Sequence, residues 1–322
     1  MATLRFCAYQ YQHLPLDVLT ERWREAERLD FDVVWNCDTV VEPDRPRHVM
    51  FDGPTTLTLM ARETSEIRVG TLVSSLYFRQ PITLARATMT LDQLTGGRVE
   101  LALGVGDPSA GGPLAGVTWS PAEQVARFRE FVELVDLLLR QQVTSYDGVY
   151  YRCAEAEVIP GSVQRPRPPI TIAAHGPRML AIAARFGDGW SSWGGYGVET
   201  EADFYKVTAE RCERFDELVA RQGRDPETLR HSLVCFPPLT PWESPGYFTD
   251  MVGRFREIGI DEFVLYWPGS WHPDARHERH VFEQVTSEVI PTLRAEQSTD
   301  AVDVNRRTDA LPADGPGRPS AS

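Results

Sequence analysis

The feature that most constrains this chain is an alternation of short apolar segments with longer amphipathic ones. Each apolar segment has the length and composition of a buried strand, and a segment with helical spacing of apolar residues follows it. The strand-like segments are 4–9, 32–37, 67–74, 99–104, 170–174, 189–193, 229–236 and 262–267. About eight such units close a barrel, so the sequence predicts an α/β fold of the (β/α)₈ or TIM-barrel type.

The amphipathic segments predict the helices that surround such a barrel. The clearest runs from Pro121 to Arg140, where Phe128, Phe131 and Val135 belong to one apolar stripe and charged residues fill much of the other face. The remaining helices are predicted at 16–29, 54–64, 81–94, 177–186, 201–221, 245–258 and 275–293. Pro291 is a point where the last helix is expected to end early, because proline cannot donate the helical hydrogen bond.

One region breaks the alternation. Between residues 143 and 169 the sequence has an Asp147-Gly148 pair flanked by strand-like residues, which is typical of a hairpin, and then a proline-rich stretch. We therefore predict a single barrel domain over 1–294 with an insertion at 143–169, after the fourth unit. The residues 295–322 are poor in apolar side chains and are predicted to form a disordered tail. An open doubly wound sheet is the alternative, but it would need fewer strands or a clear second domain.

Composition excludes several kinds of partner. The 322 residues carry a formal net charge of −13, which argues against nucleic acid and anionic membranes. Five widely spaced cysteines form no CxxC pair, and no apolar run is long enough for a membrane span or a signal peptide. We expect a cytoplasmic protein. Neither the histidines nor the cysteines show a metal-ligand pattern, and no nucleophile motif is present, which favours chemistry carried by a cofactor.

The barrel prediction itself selects candidate site residues, because chemistry in such folds belongs to the loops after each strand. The candidates at strand ends are Tyr9, Gln10, Asp38, Ser74, Ser75, Gly104, Val105, Gly106, Asp107, His175, Gly176, Pro177, Arg178, Trp190, Ser192, Trp193, Trp267 and His272. Each has a structural alternative. Asp38 could cap a helix, His175 could be a core histidine, and Trp190 could be a packing residue.

The segment after the fifth barrel strand predicts an anion site. There His175 and Gly176 precede Pro177, which opens a helix, and Arg178 follows. Glycine lets the backbone approach a ligand, the helix N-terminus attracts negative charge, and an arginine can add a charge-assisted bond. We expect a phosphate group here, the alternative being a simple strand-to-helix turn.

Several motifs between residues 32 and 190 resemble the bacterial luciferase-like monooxygenases. They are VVWNCDT at 33–39, the stretch ETSEIRVGTLVSSLYFRQPITLARATMTLDQLTGGRVELALGVG at 63–106, and PPITIAAHGPRMLAIAARFGDGW at 168–190. Family members typically carry Trp-x-x-Asp after the second strand, matched here by Trp35 and Asp38. Arg-x-Pro before the third helix is matched by Arg79 and Pro81.

The resemblance implies a TIM barrel that binds FMN or the deazaflavin coenzyme F-420 at the carboxyl ends of its strands. It places Ser74 and Ser75 beside the cofactor ring, with a non-proline cis peptide there, and Gly104 and Gly106 where they clear space for it. It implies that the cofactor phosphate is held by His175, Gly176, Pro177, Arg178 and, from the insertion, Tyr151. It places Trp190 at the edge of the ring and Asp38 on the substrate side.

The chain departs from the family pattern at two points. Deazaflavin users often have Asp-His after the second strand, whereas here Thr39 follows Asp38. The glutamate often found beyond the GxG stretch is also missing, since no glutamate occurs between Asp107 and Glu123. Asp38 and His175 are the candidates for proton transfer, and by this hypothesis His175 takes the role of the missing histidine.

We expect an oxidoreductase that acts on a small organic substrate with reduced FMN, as an oxygen-inserting monooxygenase, or with reduced F-420, by hydride transfer. A flavin reductase is a possible partner and a homodimer a possible assembly. The alternative is a non-catalytic flavin-binding protein or the partner subunit of a luciferase-like heterodimer. A Schiff-base aldolase is nearly excluded, because the one lysine, Lys206, lies in a predicted helix.

Overall fold

The computed structural model describes residues 3–40, 50–270 and 275–297. In chain order the elements are β1 (Arg5–Tyr9), α1 (Leu16–Arg28), β2 (Val33–Asn36), α2 (Gly53–Glu63), β3 (Arg68–Ser75), α3 (Pro81–Thr95), β4 (Val99–Gly104), α4 (Pro108–Ala115), α5 (Pro121–Arg140), β5 (Val143–Asp147), β6 (Arg152–Glu157), β7 (Ile170–Ala173), α6 (Pro177–Phe186), β8 (Gly189–Ser192), α7 (Glu201–Arg221), β9 (Arg230–Val234), α8 (Pro245–Glu257), β10 (Glu262–Tyr266) and α9 (Ala275–Gln284).

Eight of the strands close a parallel barrel in the order β1-β10-β9-β8-β7-β4-β3-β2. Each of the eight predicted strand segments coincides with one of them, with β3 ending one residue later than predicted, which confirms the TIM-barrel prediction. The closure joins β1 to β10, with Arg5 opposite Glu262 and Tyr9 opposite Tyr266. Parallel strands keep all their carboxyl ends at the same end of the barrel, and this end positions the site.

Side chains alternate along each strand between the interior of the barrel and the layer between the strands and the helices. Residues such as Cys7, Val33, Trp35 and Ala102 pack inside the barrel. The opposite faces of the strands pack on the helices and form the larger core, in which Phe6, Phe128 and Trp190 are fully buried. This period-two division is what a barrel requires of each strand.

The insertion predicted at 143–169 is present as an antiparallel hairpin of β5 and β6. The segment after it is anchored to the barrel by polar contacts. The carboxylate of Asp92 accepts hydrogen bonds from the backbone nitrogens of Val163 and Gln164 at 2.7 and 3.0 Å. The buried guanidinium of Arg167 pairs with Asp136 and Asp188. Because both anchors lie on barrel elements, the hairpin is held on the flank and does not interrupt the strand order.

The C-terminal helix differs from the prediction that Pro291 ends it early. After α9 the backbone forms a π-helical turn at Val285–Val289 and stays helical to residue 297. Such a turn shifts the hydrogen bonds by one residue, which gives the chain a way to pass a proline. Gln297 then accepts a 2.7 Å hydrogen bond from the backbone nitrogen of Leu4 through Oε1. Residues 295–297 therefore belong to the helix, and 298–322, predicted as a disordered tail, lie outside the described residues.

A short helix, α4, occupies part of the segment after β4 that the sequence left as a loop. None of the helices in the described part of the chain is both long and apolar enough to cross a membrane. Within those same ranges no cluster of three or more histidine, cysteine or acidic side chains could hold a metal ion.

Candidate active site

A cavity of about 390 Å³ opens at the carboxyl ends of the barrel strands. Its wall is mainly apolar and aromatic. The described residues that line it are Tyr9, Leu72, Val73, Gly104, Val105, Gly106, Asp107, Ala173, Ala174, His175, Gly176, Met179, Ser191, Trp193, Tyr196, Val234 and Phe236. A concave apolar site with few polar groups, at this end of such a barrel, is the usual form of a cofactor and substrate site.

One wall of the cavity is shaped by an irregularity in β3. The register between β3 and β4 shifts between Thr71 and Ser74, and the peptide joining Leu72 to Val73 is cis. The non-proline cis peptide expected from the resemblance is therefore present, between the two residues that directly precede the serine pair rather than at the pair itself. Leu72 and Val73 both line the cavity.

Ser74 and Ser75 were expected beside the cofactor ring, but neither is among the residues that line the cavity. Both are buried. The Ser75 hydroxyl donates to the carbonyl of Val105 at 3.3 Å and accepts from the backbone nitrogen of Tyr77 at 3.2 Å. These serine side chains therefore lie behind the residues that line the cavity and have a structural role there.

Gly104 and Gly106 do line the cavity, yet the space they leave is taken by the protein. A Cβ on Gly104 would lie 2.6 Å from the Val73 side chain, and one on Gly106 would lie 2.3 Å from the Ser75 hydroxyl oxygen. Gly106 also has a φ of +86°, which L side chains rarely adopt. The two glycines thus allow β3 and the segment after β4 to pack closely, and the expectation that they clear space for a ring is not needed to explain them.

The start of α6 faces the same cavity. Gly176 is its N-cap, makes no side-chain capping bond, and would have nothing within 4 Å of an added Cβ. Pro177 at N1 has no N–H, so the uncapped donors of the first turn are those of Arg178 and Met179. Uncapped donors beside an open space are the arrangement that binds an anion. Pro177 and Arg178 are exposed, and their side chains lie outside the cavity wall.

His175 contributes an imidazole to the cavity next to this helix start. Burial and the nearby Arg211 lower the pKa of His175 to about 4. Arg211 lies behind the loop after β8, where it donates to the Ser192 hydroxyl at 3.1 Å and the Gly194 carbonyl at 2.5 Å. At neutral pH the site therefore presents a neutral imidazole with a guanidinium close to it.

Asp38 does not reach the cavity wall, although the sequence made it a candidate for proton transfer. Arg79 binds its carboxylate through two hydrogen bonds of 2.7 and 2.5 Å and also donates to Asp52 at 2.6 Å. The backbone nitrogen of Ser75 donates to the same carboxylate at 3.3 Å. These contacts join the segment after β2 to the end of β3 and, through Arg79, to the start of α2. The Asp38 carboxylate therefore has a structural role beside the cavity.

Trp190 lies on the other face of β8 from the cavity. It is fully buried, its ring stacks on Phe215 of α7 at 5.4 Å, and its indole nitrogen donates to the Ala174 carbonyl at 2.7 Å. Since side chains alternate along a strand, Ser191 faces the cavity where Trp190 does not. The structure thus supports the packing role that the sequence left open for this tryptophan.

Tyr151 also lies away from the cavity. It follows the hairpin turn, packs on Phe131 of α5 with ring centroids 6.0 Å apart, and is not among the lining residues. Its backbone nitrogen donates to Glu130 at 3.3 Å. The geometry therefore gives Tyr151 a role in attaching the insertion.

The strand-end rule found some of the lining residues and missed others. Tyr9, Asp107 and Trp193 were strand-end candidates and do line the cavity, whereas Leu72, Met179, Tyr196 and Phe236 were not expected from the sequence. Leu72 lies at the β3 irregularity, Met179 lies in the first turn of α6, and Tyr196 and Phe236 lie in the segments after β8 and β9; no motif in the sequence marks these four as site residues. His272 and the loop residues 41–49 lie outside the described part of the chain.

With this geometry established, comparison with known proteins decides the family. The model of the luciferase-like monooxygenases matches residues 2–239.

The chain belongs to the luciferase-like monooxygenase family.

Two curated relatives illustrate the range of that family. An F420-dependent glucose-6-phosphate dehydrogenase of Beutenbergia cavernae is 33% identical over 92% of this chain and 99% of its own length. A 5,10-methylenetetrahydromethanopterin reductase of Archaeoglobus fulgidus is 33% identical over 86% of this chain and 81% of its own. Among solved structures, an F420-dependent secondary alcohol dehydrogenase in complex with an F420-acetone adduct matches with a TM-score of 0.75 and 17% identity. That match covers 88% of this chain and 98% of the other.

These findings confirm three predictions made from the sequence. They are the luciferase-like family, the TIM-barrel fold and the oxidoreductase class, which is supported over the non-catalytic alternative. The cofactor prediction of FMN or F-420 agrees with the family as well.

Proposed function

We propose that this protein is a coenzyme F-420-dependent oxidoreductase that transfers hydride to or from a small organic substrate. The observation that carries the proposal is the uncapped start of α6, which opens on the apolar cavity beside neutral His175. An anionic side arm can bind at the helix start while a flat ring lies in the apolar space.

The residues present fit such a cofactor in three respects. The first-turn nitrogens of α6 would hold a phosphate, with Arg211 nearby to favour its charge. Leu72 and Val73 would form the surface under the ring, and Trp193 and Phe236 would exclude water from it. The cofactor supplies the hydride, and the protein supplies orientation and a dry pocket.

The choice of F-420 over FMN rests on the relatives. Both curated relatives described above cover most of the chain at 33% identity, and the Beutenbergia cavernae enzyme is named as F420-dependent. FMN remains the second candidate because the family is described as luciferase-like monooxygenases. In either case we assign His175 to contact the cofactor and Asp38 to position the loop after β2.

Titration separates these candidates. Purified protein is titrated with oxidised and reduced F-420 and FMN, and binding is followed by fluorescence and calorimetry. Micromolar or tighter binding of F-420 with weak FMN binding is the expected result. Preferential binding of reduced FMN would replace the proposal with a monooxygenase, and binding of neither would contradict both.

Partners and location follow from the same proposal. A small-molecule substrate is its main partner. An FMN enzyme would need a flavin reductase, whereas an F-420 enzyme needs a source of reduced deazaflavin. We also propose a homodimer, which size-exclusion chromatography with light scattering tests, and a cytoplasmic location. The five free cysteines, four of them buried, suit a reducing compartment.

A further inference from the structure

The proposed hydride transfer needs a group that donates a proton to the substrate, and the residue that follows Asp38 after β2 is Thr39, which is not an ionisable acid. Asp38 is bound by Arg79, and His175 stands at the proposed phosphate end of the cavity. Among the described lining residues, side-chain hydroxyls belong to Tyr9, Ser191 and Tyr196. Tyr196 is 77% exposed, whereas Tyr9 is 6% exposed, so of these two phenols Tyr9 is the one that lies in the dry part of the cavity.

Tyr9 is placed across the barrel from the proposed phosphate site. In the closed strand order, β1 and β7 are four positions apart in either direction, which makes them diametrically opposite. A ligand anchored at the start of α6, which follows β7, and extending across the cavity therefore approaches Tyr9 with its far side. The Tyr9 ring is held there by edge contacts with Tyr11 at 5.1 Å and Phe236 at 5.3 Å.

Tyr9 packs among groups inside the barrel that keep their protons. Cys37 belongs to the same buried cluster, and half-buried Tyr11 packs against that cluster and meets the Tyr9 ring edge-on at 5.1 Å. Burial is the main cause that raises the pKa of Tyr9 well above its usual range. Burial likewise raises the pKa of Cys37 to about 12. Both groups stay protonated at neutral pH, and Tyr11, beside the Tyr9 ring, is partly exposed to solvent.

We propose that the Tyr9 hydroxyl donates the proton to the oxygen of an uncharged carbonyl substrate, and that Tyr11 passes the replacement proton from water. This inference rests on the proposed F-420 function. The carbonyl carbon receives a hydride from a reduced deazaflavin, and the π-electron pair moves to oxygen. The Tyr9 O–H bond breaks as the alcohol O–H bond forms. The phenolate is then reprotonated through Tyr11. One hydride and one proton convert the ketone or aldehyde to an alcohol, and the deazaflavin loses two electrons.

The substitution Tyr9→Phe tests the donor directly, because it removes the hydroxyl and keeps the ring. Tyr146→Phe is the matched control, since Tyr146 lies on the hairpin strand β5, away from the cavity, and its hydroxyl donates to Glu133 of α5. Wild type, both variants and Tyr11→Phe are assayed with reduced F-420 and with acetone, cyclohexanone and benzaldehyde as carbonyl probes. F-420 absorbance reports turnover. F-420 fluorescence reports the binding of cofactor and of cyclohexanone, and thermal melting reports folding.

For Tyr9→Phe we expect unchanged folding and F-420 affinity and a fall in kcat of about 100-fold, the size of a lost general acid. Loss of one hydrogen bond should weaken cyclohexanone binding to the F-420 complex by about three- to tenfold. Tyr11→Phe should lower kcat less, and Tyr146→Phe should match wild type.

Three other results would overturn the inference. A Tyr9→Phe kcat within about threefold of wild type excludes proton donation at the scale expected of a general acid. Loss of F-420 binding in Tyr9→Phe alone would make Tyr9 a cofactor-binding residue. Wild type that binds F-420 but reduces none of the probes would refute the carbonyl assignment. Wild type that does not bind F-420 at all is the separate result by which the proposed function fails.

Discussion

The two ends of the barrel are built from the same eight strands but differ in what they bury. One end buries a cluster of ion pairs, and the other surrounds a mainly apolar cavity. At the amino-terminal end, which we call the floor, buried Glu100 accepts from Arg5 at 2.7 Å and Arg68 at 2.5 Å, and Glu262 pairs with Arg5 at 3.2 Å. At the carboxyl end, which we call the mouth, the cavity wall is mainly apolar, and its polar residues include Tyr9, Asp107 and neutral His175.

Strand β1 shows the contrast within five residues, since Arg5 lies in the floor and Tyr9 in the mouth. Burial opposes the charge of Arg5, but Glu262 and Glu100 outweigh it and raise the pKa of Arg5 above its usual range. In the floor, oppositely charged side chains pair with one another across neighbouring strands, whereas the wall of the cavity in the mouth is mainly apolar. Stability and function are thereby assigned to different ends of one scaffold.

The largest expected effect breaks the floor. Arg5→Met leaves two buried carboxylates without their shared partner and should lower the free energy of unfolding by about 3–5 kcal/mol. Urea unfolding measures the loss, and F-420 affinity of the folded variant should stay near that of wild type. Arg214→Met, which removes an exposed pair with Glu217, should cost less than about 1 kcal/mol. Equal losses in the two variants would contradict the special role of the floor.

A second variant asks whether the mouth also contributes to stability. Gly106→Ala combines an unfavourable φ of +86° with a Cβ 2.3 Å from the Ser75 hydroxyl oxygen. Backbone strain and overpacking together should cost about 3 kcal/mol. Gly223→Ala shares the positive φ, at +71°, but has nothing within 4 Å of the new Cβ, so it measures the backbone part alone. If both variants unfold at the same urea concentration, the close approach of the two segments carries no cost.

The two floor glutamates should respond differently to neutralisation. Burial opposes ionisation of Glu100, but Arg5 and Arg68 outweigh it and lower its pKa, so its contribution is present above pH 4.5 and lost as pH falls through the folded pKa. Burial raises the pKa of Glu262, so its contribution is present below pH 4.5 and lost as pH rises through the folded pKa.

At pH 7, Glu100→Gln should therefore cost about 2 kcal/mol, the size of a charged hydrogen bond. Glu262→Gln should change stability by less than about 1 kcal/mol, because it removes a carboxylate whose ionisation burial opposes. Urea unfolding at pH 7 and pH 4 checks both. A larger loss in Glu262→Gln than in Glu100→Gln at pH 7 would reverse the assignment.

The effect that is smallest at neutral pH, and that grows as the pH falls, concerns the mouth. Because the folded pKa of His175 is about 4, against an ordinary value of 6.5, its neutral form stabilises the fold above pH 6.5, and this is lost as pH falls toward 4. His175→Asn should reduce the slope of the unfolding free energy against pH in that window. The reduction corresponds to the uptake of at most about one proton on unfolding.

His231 provides a control of opposite sign. Burial opposes its charge, but Asp216, 2.8 Å from Nε2, outweighs burial and raises the pKa of His231. Its contribution is therefore present below pH 6.5 and lost as pH rises through the folded pKa. His231→Asn should change the slope on the alkaline side. An unchanged acid slope in His175→Asn would show that the mouth does not keep this imidazole neutral.

The sequence by itself determined most of the elements of this protein, with the exceptions of α4 and the end of the last helix. Strands and helices follow from apolar periodicity, proline starts and glycine turns, which act over a few residues, and α5, α6 and α7 have the bounds that the sequence predicts. Strand-end position alone also identifies Tyr9, Gly104, Gly106, His175 and Gly176, all of which line the cavity.

Only the tertiary structure decided what each polar side chain does. Asp38 is taken by Arg79, 41 residues away, and Glu100 meets Arg5 across 95 residues. Neither pairing leaves a local pattern, because each depends on where the strands close. Whether Trp190 or Ser191 points into the cavity depends on which of two neighbouring strand positions faces the barrel interior. Leu72 lines the site at a point where the register between β3 and β4 shifts. Local physics fixes the elements, whereas the closed barrel fixes which side chains meet.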